Sequence, residues 1–571
     1  MKSYDGCWTC RLRKKRCDEI RPVCRNCSTL QITCHFEEEK PLWMDGGLGQ
    51  KEKAEEIKRE VKSAAARRRG VLSFDVLEPI TVEPSLDSST RTISPPTLFS
   101  TDSTPSNGYV EPWSKLEGWS ASDPPKREPT ESELDRRFVM FYFDHFFPFL
   151  FPFYKPSLLE GGRTWVMELV QSDQVMWHTT LAFSSYFVSV TLDGAVSGHS
   201  VCKTLAWEKL LRQMGVTFAT LKCNLQEAAS ANIQDVMVRT VRTMGSIIQL
   251  QRLEIAVGNF ENCRKHLGAA NSLFRRIMDG SELLNFCAVL NVLGRPLWSI
   301  KSQERGAWNS DQAAFRFYSA LLIVDDTVAG ICTGEAPELL HYHAQLLTSD
   351  RSAEEKPPLS LEEFVGCENW VILQMGEIAA LDAWKKAAKK AGRLDMMELV
   401  ARASAIQRAL LENLARLDAA VDTSQSGWLG LFRVYNDQLP PMPGGCAVFV
   451  TRVWAHAALL YLAVSVSGWQ PGSVAIRENV TRILGLLERM SAPELLRTVV
   501  WPYCIVGCLC EPVEEVRVRA MAEALAPHRL FGTARKALEI MENVWKRRDE
   551  LTVETDFATC IRSLGYVSLL V

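Results

Sequence analysis

Apolar residues recur three and four positions apart through most of the chain after residue 130, whereas alternating, strand-like runs are scarce. Thr130 and Glu133 form a capping box before the aromatic run at 138–147, so we place the first helix there. The other predicted helices cover residues 172–192, 200–221, 226–256, 260–278, 310–330, 360–390, 395–418, 447–466, 473–490 and 533–550. The pattern predicts a large all-α domain over residues 130–571 with one or two apolar cores.

Two stretches interrupt the helical pattern. Residues 70–129 are rich in proline, serine, threonine and charge, so we predict a disordered linker there. Within it Tyr109, Trp113 and Trp119 alternate with acidic residues, a composition typical of activation segments, although a plain tether with incidental aromatic residues is the simpler interpretation. A second stretch, Asp422 to Gly445, is rich in glycine, proline and polar residues and is a candidate division of the helical domain.

Residues 37–69 are predicted to be a connecting loop followed by a basic helix. Ala54, Ile57, Val61 and Ala64 follow a heptad spacing, but only for two heptads, which is short for a coiled coil that would make the chain a homodimer. A solvated helix is the favoured interpretation. Its basic end, Arg67 to Arg69, belongs to the class of short basic clusters that nuclear import receptors recognise.

Two apolar runs, Val175 to Leu192 and Cys446 to Val466, raise the question of membrane insertion. The second run contains Arg452 and His456, whose placement in lipid would cost several kcal/mol. We therefore predict buried helices and no membrane partner.

Six cysteines near the N-terminus form an internal repeat. Two residues separate the first pair of each half, six more lead to the third cysteine, and the halves are Cys7, Cys10, Cys17 and Cys24, Cys27, Cys34. This spacing is typical of zinc ligands. Two tetrahedral zinc ions need eight ligand positions, so with six sulfurs two thiolates must bridge both ions. One four-sulfur zinc site with two unused cysteines is the alternative.

The two halves differ in charge. The first loop contains Arg11, Arg13, Lys14, Lys15 and Arg16, whereas the second, Ser28 to Thr33, has no charge. Six thiolates and two zinc ions leave about two negative charges, which the first loop screens. Because the net charge of the whole chain is only −3, its basicity is local. We predict a short helix whose end enters a DNA groove, with Leu12 turned towards Leu30 and Ile32.

The run Gly6 to Asp18, with Pro22 before Cys24, resembles the fungal zinc binuclear cluster transcription factors. The resemblance implies that Cys7 and Cys24 bridge two zinc ions and that Arg13 and Lys14 read a CCG-type triplet. Arg11, Lys15, Arg16, Arg21 and Arg25 are candidates for phosphate contacts. The resemblance further implies a nuclear regulator, more often an activator than a repressor, with double-stranded DNA and the transcription machinery as partners.

The helical domain resembles the fungal-specific regulatory domain, and the whole chain looks most like the branch containing the acriflavine sensitivity control protein. The residues that carry this likeness are Trp43 to Gly47, Asp325, Thr333 and Gly334, Pro337, Gly366 to Trp370 and Trp501 to Gly507. Control of drug response and control of a secondary-metabolite gene cluster are both implied.

The sequence leaves two other classes of function to consider, a zinc-dependent interaction module and an enzyme. A zinc-dependent interaction module would use the basic loop only to balance the charge of the cluster. An enzyme is disfavoured because the sequence has no phosphate loop, no dinucleotide glycine pattern and no pair of histidines at helical metal-binding spacing. Cys504, Cys508 and Cys510 are predicted to be core thiols, and His341 and His343 are more simply capping or surface residues than a ligand site. The remaining cysteines are scattered, as in a reducing compartment.

Overall fold

The computed structural model describes two parts of the chain, a small N-terminal module and a large helical domain. The described residues are 6–19, 21, 23–30, 32–36, 41, 43–44, 47, 49–50, 53–54, 57–58, 61, 131–156, 161–195, 200–230, 233–258, 260–279, 285–294, 308–349, 357–420, 446–490, 493–525, 533–562 and 570. No described residue is in a strand. The predicted linker at 70–129, Thr130 of the capping box and the whole of Asp422 to Gly445 lie outside these residues.

The N-terminal module contains the short helices Trp8–Leu12 and Arg25–Leu30. The helical domain opens with Glu131–Phe141, a π-helical turn Tyr142–Phe146 and Phe147–Leu150. The helices that follow are Thr164–Ser172, Gln174–Ala195, Ser200–Ser230, Ile233–Val257, Phe260–Asp279, Phe286–Val292, Ser310–Thr333, Leu340–Leu347, Glu362–Val365, Asn369–Lys390, Met396–Ala420, Cys446–Ser467, Val474–Glu488, Val500–Cys508, Glu515–Glu523, Ala534–Lys546 and Phe557–Arg562. Three 3₁₀ turns, Pro493–Val499, Pro512–Glu514 and Arg548–Glu550, complete it. The predicted fold class, a small cysteine-rich module and a large all-α domain, is confirmed.

The helix Ser310–Thr333 lies at the centre of the domain. Most of its side chains are buried, and it packs against Ile233–Val257, Phe260–Asp279 and Asn369–Lys390. Asn309 and Gln312 form a capping box that starts it, and Gly334, with a φ of 72°, ends it. Buried apolar side chains form one continuous cluster from Val139 to Leu570, so helices before and after residues 421–445 share a single core.

Two acidic residues of the central helix are buried, and the carboxyl group of each accepts two hydrogen bonds. Asp325 accepts hydrogen bonds from Arg252 at 2.6 Å and Gln251 at 2.9 Å. Asp326 accepts from the amide of Asn271 and the backbone N–H of Leu339, both at 2.8 Å. Burial raises the pKa of both carboxyl groups to about 6. These contacts fix the central helix against two neighbouring helices.

The predicted single helix at 360–390 is wrong. Gly366 has a φ of 74° and ends the short helix Glu362–Val365, after which a new helix starts at Asn369. The side-chain oxygen of Asn369 accepts from the N–H of Leu361, and Thr451 accepts from the N–H of Glu368, so the break is stabilised from both sides. A glycine in the left-handed region stops a helix even where the apolar pattern continues.

One described helix, Cys446–Ser467, is long and apolar enough to cross a membrane, but 72% of its apolar window is buried inside the domain. Its polar residues have partners on neighbouring helices. Arg452 forms an ion pair with Asp418 at 2.7 Å, and Nδ1 of His456 lies 2.9 Å from Oδ1 of Asn479. This helix belongs to the core, as predicted.

Candidate metal centre and nucleic-acid interface

The two halves of the cysteine repeat fold in the same way. In the first half the N–H of Cys7 donates to Sγ of Cys17 at 3.4 Å, and the N–H of Cys10 donates to Sγ of Cys7 at 3.3 Å. The second half repeats both bonds, from Cys24 to Cys34 at 3.5 Å and from Cys27 to Cys24 at 3.4 Å. Because each N–H points at a sulfur, both turns favour the thiolate form of that sulfur.

All six sulfurs converge. They form two groups of four, each with its sulfurs within 4.8 Å of one another: Cys7, Cys10, Cys17 and Cys24, and Cys7, Cys24, Cys27 and Cys34. Both groups contain Cys7 and Cys24, whose sulfurs are 3.7 Å apart. A Zn–S bond of about 2.3 Å gives a tetrahedral S···S edge of about 3.8 Å. The 3.6 Å from Cys10 to Cys24 and the 3.8 Å from Cys7 to Cys27 also match that edge, so the donor set fits zinc.

Burial makes these thiols costly to ionise without a cation. It raises the pKa of Cys10 to about 11 and the pKa of Cys7 and Cys27 further. Burial also opposes ionisation of Cys24, but the backbone N–H of Cys27 and the neighbouring thiols lower its pKa to about 7. A bound divalent cation would supply the charge that this cluster of sulfurs needs, and its binding would release protons.

Other contacts join the two halves. The hydroxyl of Thr9 donates to the carbonyl of Thr33 at 2.9 Å and accepts from the N–H of His35 at 3.2 Å. The N–H of Trp8 donates to the carbonyl of His35 at 2.8 Å. The side chain of Asp18 accepts from the N–H of Arg25 through both oxygens at 3.1 Å, which caps the second helix. Thr9 and Asp18 are not among the residues predicted for the site, although Asp18 has the residue type of a helix cap.

The apolar side of the module includes a residue from the predicted basic helix. Leu12, Leu30 and Ile32 pack with the cysteines, as predicted, and Ile57, only 2% exposed, joins the same cluster with Val61 at its edge. Residues 53–54, 57–58 and 61 are helical. The interpretation of this segment as a solvated helix is therefore wrong for the face that carries Ile57 and Val61, because these two residues pack on the cysteine module.

The basic loop starts from an unusual helix end. The N–H of Lys15 donates to the carbonyl of Cys10 at 3.0 Å, and the N–H of Lys14 donates to that of Arg11 at 3.1 Å. These two bonds define a Schellman motif, in which the residue at the position of Lys14 is usually glycine. Lys14 has a φ of 54° there. For a residue with a side chain this conformation costs about 1 kcal/mol or more, yet it projects a lysine from the helix end.

The seven predicted DNA-contacting residues differ in exposure. Lys14, Lys15, Arg16, Arg21 and Arg25 are exposed, whereas Arg11 and Arg13 are partly buried. The Arg11 guanidinium lies 4.6 Å from the ring centre of Trp8, and that of Arg21 lies 5.4 Å from the ring of Phe36. The exposed cations of the first loop follow directly on the helix that carries Cys10.

Comparisons with known proteins decide the family. The family described as Fungal Zn(2)-Cys(6) binuclear cluster domain matches residues 5–42, and that described as Fungal specific transcription factor domain matches residues 137–570. The chain belongs to the fungal Zn(2)-Cys(6) transcription factors. It is similar over its full length to transcription factor dibT of Pestalotiopsis microspora, with 35% identity covering 100% of this chain and 99% of the relative.

Two further similar transcription regulators carry the names of metabolite clusters. Pestheic acid cluster transcriptional regulator 3 of Pestalotiopsis fici is 27% identical, covering 97% of this chain and 96% of its own. Ustiloxin B cluster transcription factor ustR of Aspergillus flavus is 23% identical, covering 96% and 95%. No solved structure matches the chain. Members of this family regulate transcription, so the prediction that the chain is not an enzyme is confirmed.

The other cysteine and histidine candidates of this Zn(2)-Cys(6) factor lie in its core, except His341, which is exposed. In the described part of the chain, groups spaced for a metal ion occur only at the N-terminus. Cys504, Cys508 and Cys510 are buried, as predicted. His343 is not the surface residue that we expected, because it is 2% exposed, and burial lowers its pKa to about 4. Neither of its ring nitrogens has a hydrogen-bond partner among the described residues.

Proposed function

We propose that the protein is a nuclear, sequence-specific DNA-binding regulator that recognises a CCG-type triplet through a two-zinc cluster. The observation that carries this proposal is the exposed cationic loop at the end of a helix whose start and middle are held by Cys7 and Cys10. A helix fixed in this way can enter the major groove with its basic end, where lysine and arginine bond to guanine edges.

In this proposal two zinc ions share Cys7 and Cys24. Cys10 and Cys17 complete one tetrahedron, and Cys27 and Cys34 complete the other. The shared pair in the two sulfur groups supports this arrangement. When bound, the ions supply the positive charge that keeps all six thiolates ionised and most of the folding free energy of a module too small for a large core.

The basic residues divide by role. Arg13 and Lys14 would read base edges, and Arg11, Lys15, Arg16, Arg21 and Arg25 would contact phosphates. Base reading belongs to the first half of the repeat alone, because the loop of the second half, Ser28 to Thr33, has no charge. The helical domain would regulate the module and contact the transcription machinery, as an activator more often than a repressor. The names of two similar proteins support a secondary-metabolite gene cluster as the target.

The first experiment measures zinc content and DNA preference on the full-length protein. We expect two zinc ions per chain and enrichment of a CCG-like triplet from random duplexes. One recovered triplet would indicate a monomer on DNA, whereas two at fixed spacing would indicate a homodimer. Two zinc ions without sequence enrichment would contradict DNA recognition and favour a zinc-dependent interaction module.

A pair of substitutions at Lys14 separates DNA contact from folding. Lys14→Gly relieves the left-handed backbone and should keep the zinc content, while losing the side chain that reaches DNA. We expect Lys14→Gly and Lys14→Ala to weaken the selected site by about 1–3 kcal/mol and to relax its sequence preference. Lys15→Ala should weaken selected and random duplexes alike and lower the salt slope by about one. If Lys14→Gly weakens both duplexes equally, base reading by Lys14 is refuted.

A further inference from the structure

The helical domain contains a partly open cavity of about 150 Å³, lined by residues far from the cysteine module in sequence. Its wall is mostly apolar and includes Phe151, Phe153, Leu321, Val324, Ile372 and Trp454. These residues come from four separate parts of the domain, among them the central helix and the core helix Cys446–Ser467. An apolar cavity of about this volume is large enough for one benzene ring.

Two arginines interrupt the apolar wall. Arg252 donates to Oδ1 of Asp325 at 2.6 Å, and this buried carboxylate balances its charge. Nε of Arg252 is nevertheless buried without a hydrogen-bond partner among the described residues. The wall of the cavity therefore carries the guanidinium of Arg252, whose charge is balanced by Asp325 and whose Nε is an unused hydrogen-bond donor.

Arg497 is the second arginine, on the turn Pro493–Val499, and its charge is only partly offset, by Glu494 of the same turn. It donates to the carbonyl of Phe149, and its guanidinium lies 3.4 Å from the centre of the Phe149 ring. Within the described ranges no carboxylate forms an ion pair with it, and its Nε is buried and makes no hydrogen bond. Burial lowers the pKa of Arg497 to about 9. Arg497 as a whole is partly buried, and a partly desolvated cation beside an apolar cavity is stabilised when an anion joins it.

We propose that this cavity binds a small apolar carboxylic acid the size of benzoate, whose carboxylate pairs with Arg497. The ring would occupy the apolar space near Leu321, Val324 and Trp454, and the carboxylate would accept the donors that the protein leaves unused. A neutral molecule of the same shape would fill the space but leave the charge of Arg497 only partly offset. The site is separate from the DNA-binding function proposed above and does not depend on it.

The acid and its ester provide the test on the full-length, zinc-loaded protein. Benzoate and methyl benzoate are titrated while the fluorescence of the tryptophans, which include Trp454 in the wall, and the unfolding temperature are followed. A charge-assisted pair predicts that benzoate binds at least about tenfold more tightly than its ester. Bound ligand should also raise the unfolding temperature of the helical domain, by an amount that grows with the logarithm of the ligand concentration above its Kd.

Arg497→Met identifies the counter-ion. We expect it to weaken benzoate binding about tenfold or more and to leave methyl benzoate unchanged or tighter. Arg535→Met is the matched control, because Arg535 lies on the domain surface, away from the cavity, and its change should leave both affinities as they are. Ile255→Phe, which adds volume at the wall, should weaken both ligands together.

Three results would overturn the proposal: no saturable benzoate binding to the wild-type protein, equal binding of the acid and the ester, or full benzoate affinity in a folded Arg497→Met variant. If Arg497→Met does not fold, the comparison of acid with ester on the wild-type protein decides alone. Loss of benzoate binding in Ile255→Phe with retained helical circular dichroism would then locate the ligand in this cavity.

Discussion

Replacing Ile57 by alanine should lower the apparent zinc affinity of the N-terminal module. Ile57 is 2% exposed and packs in one apolar cluster with the cysteines and Ile32. It lies outside the cysteine repeat, on a segment whose heptad spacing resembles a short coiled coil. Its burial indicates that this segment completes the module, because a two-heptad helix could not bury it alone.

The magnitude follows from the burial. Truncating a fully buried isoleucine to alanine typically costs 2–5 kcal/mol, from lost transfer energy and the cavity left behind. Structural zinc in a small module contributes about 10–16 kcal/mol, so the variant should still fold when metal is abundant. Because folding and metal binding are coupled, a cost of about 2 kcal/mol lowers the apparent zinc affinity about 30-fold.

A chelator competition on the full-length protein measures this change. Released zinc is followed by the absorbance of a coloured chelator, and the chelator concentration at half-release is compared between variants. Lys58→Ala is the control, because Lys58 is the next residue and is exposed. We expect Ile57→Ala to release zinc at a clearly lower chelator concentration and Lys58→Ala to release it as the wild type does.

Equal half-release concentrations for Ile57→Ala and the wild type would refute this reasoning. If Ile57 served instead to pair two copies of the chain, its loss would shift the sedimentation of the protein towards the monomer while zinc release stayed the same. Measuring sedimentation in the same samples therefore separates a residue of the module core from a residue of a coiled-coil interface.

Three further predictions concern the cluster and the helical core. Cys24→Ser should disturb both zinc ions and Cys34→Ser mainly one, as measured by metal content, and loss of one equivalent in both would contradict shared ligation. Gly366→Ala should destabilise the helical domain by about 1–3 kcal/mol in denaturant unfolding, because its φ is 74° and a Cβ would lie 2.5 Å from the Phe153 ring; an unchanged midpoint would contradict this. His343→Leu should stabilise the domain, and more at pH 5 than at pH 7.5. The folded-state pKa of His343 is about 4, below the usual 6.5, so the wild type loses about 2 kcal/mol between neutral pH and pH 5. His341→Leu, on the exposed neighbour, should keep most of the pH dependence, because burial lowers the pKa of His343 more than the charge of His341 does.

The long helices could be predicted because their apolar periodicity is strong. Ten predicted segments overlap helices of the structure, and the end of the central helix was placed within three residues of Thr333. The short helices Thr164–Ser172, Leu340–Leu347 and Phe557–Arg562 were missed, since a segment of two turns carries too few apolar positions for a period to be read. The break at Gly366 was missed because a single glycine does not interrupt an apolar pattern.

The role of Ile57 could not be assigned for a different reason. A heptad spacing states that one face of a helix will be buried, but not which surface covers it. The same four apolar positions could be covered by a second copy of the chain, by the aliphatic part of neighbouring lysine side chains in a solvated helix, or by the cysteine module. Only the packing with Ile32 and the cysteines distinguishes them.

The two sites of this protein show how far local sequence can determine chemistry. All six sulfurs lie between residues 7 and 34, so covalent spacing and two short turns are enough to bring them together. The cavity beside Arg497 draws its wall from residues 150 to 533, and no spacing rule connects Leu150, Arg252 and Thr533. That site is distinguished by the guanidinium of Arg497, with which no described carboxylate forms an ion pair. Such an imbalance of charge exists only after the whole core has packed. A search for effector sites in relatives with the same fold should therefore start from unbalanced buried charges rather than from motifs.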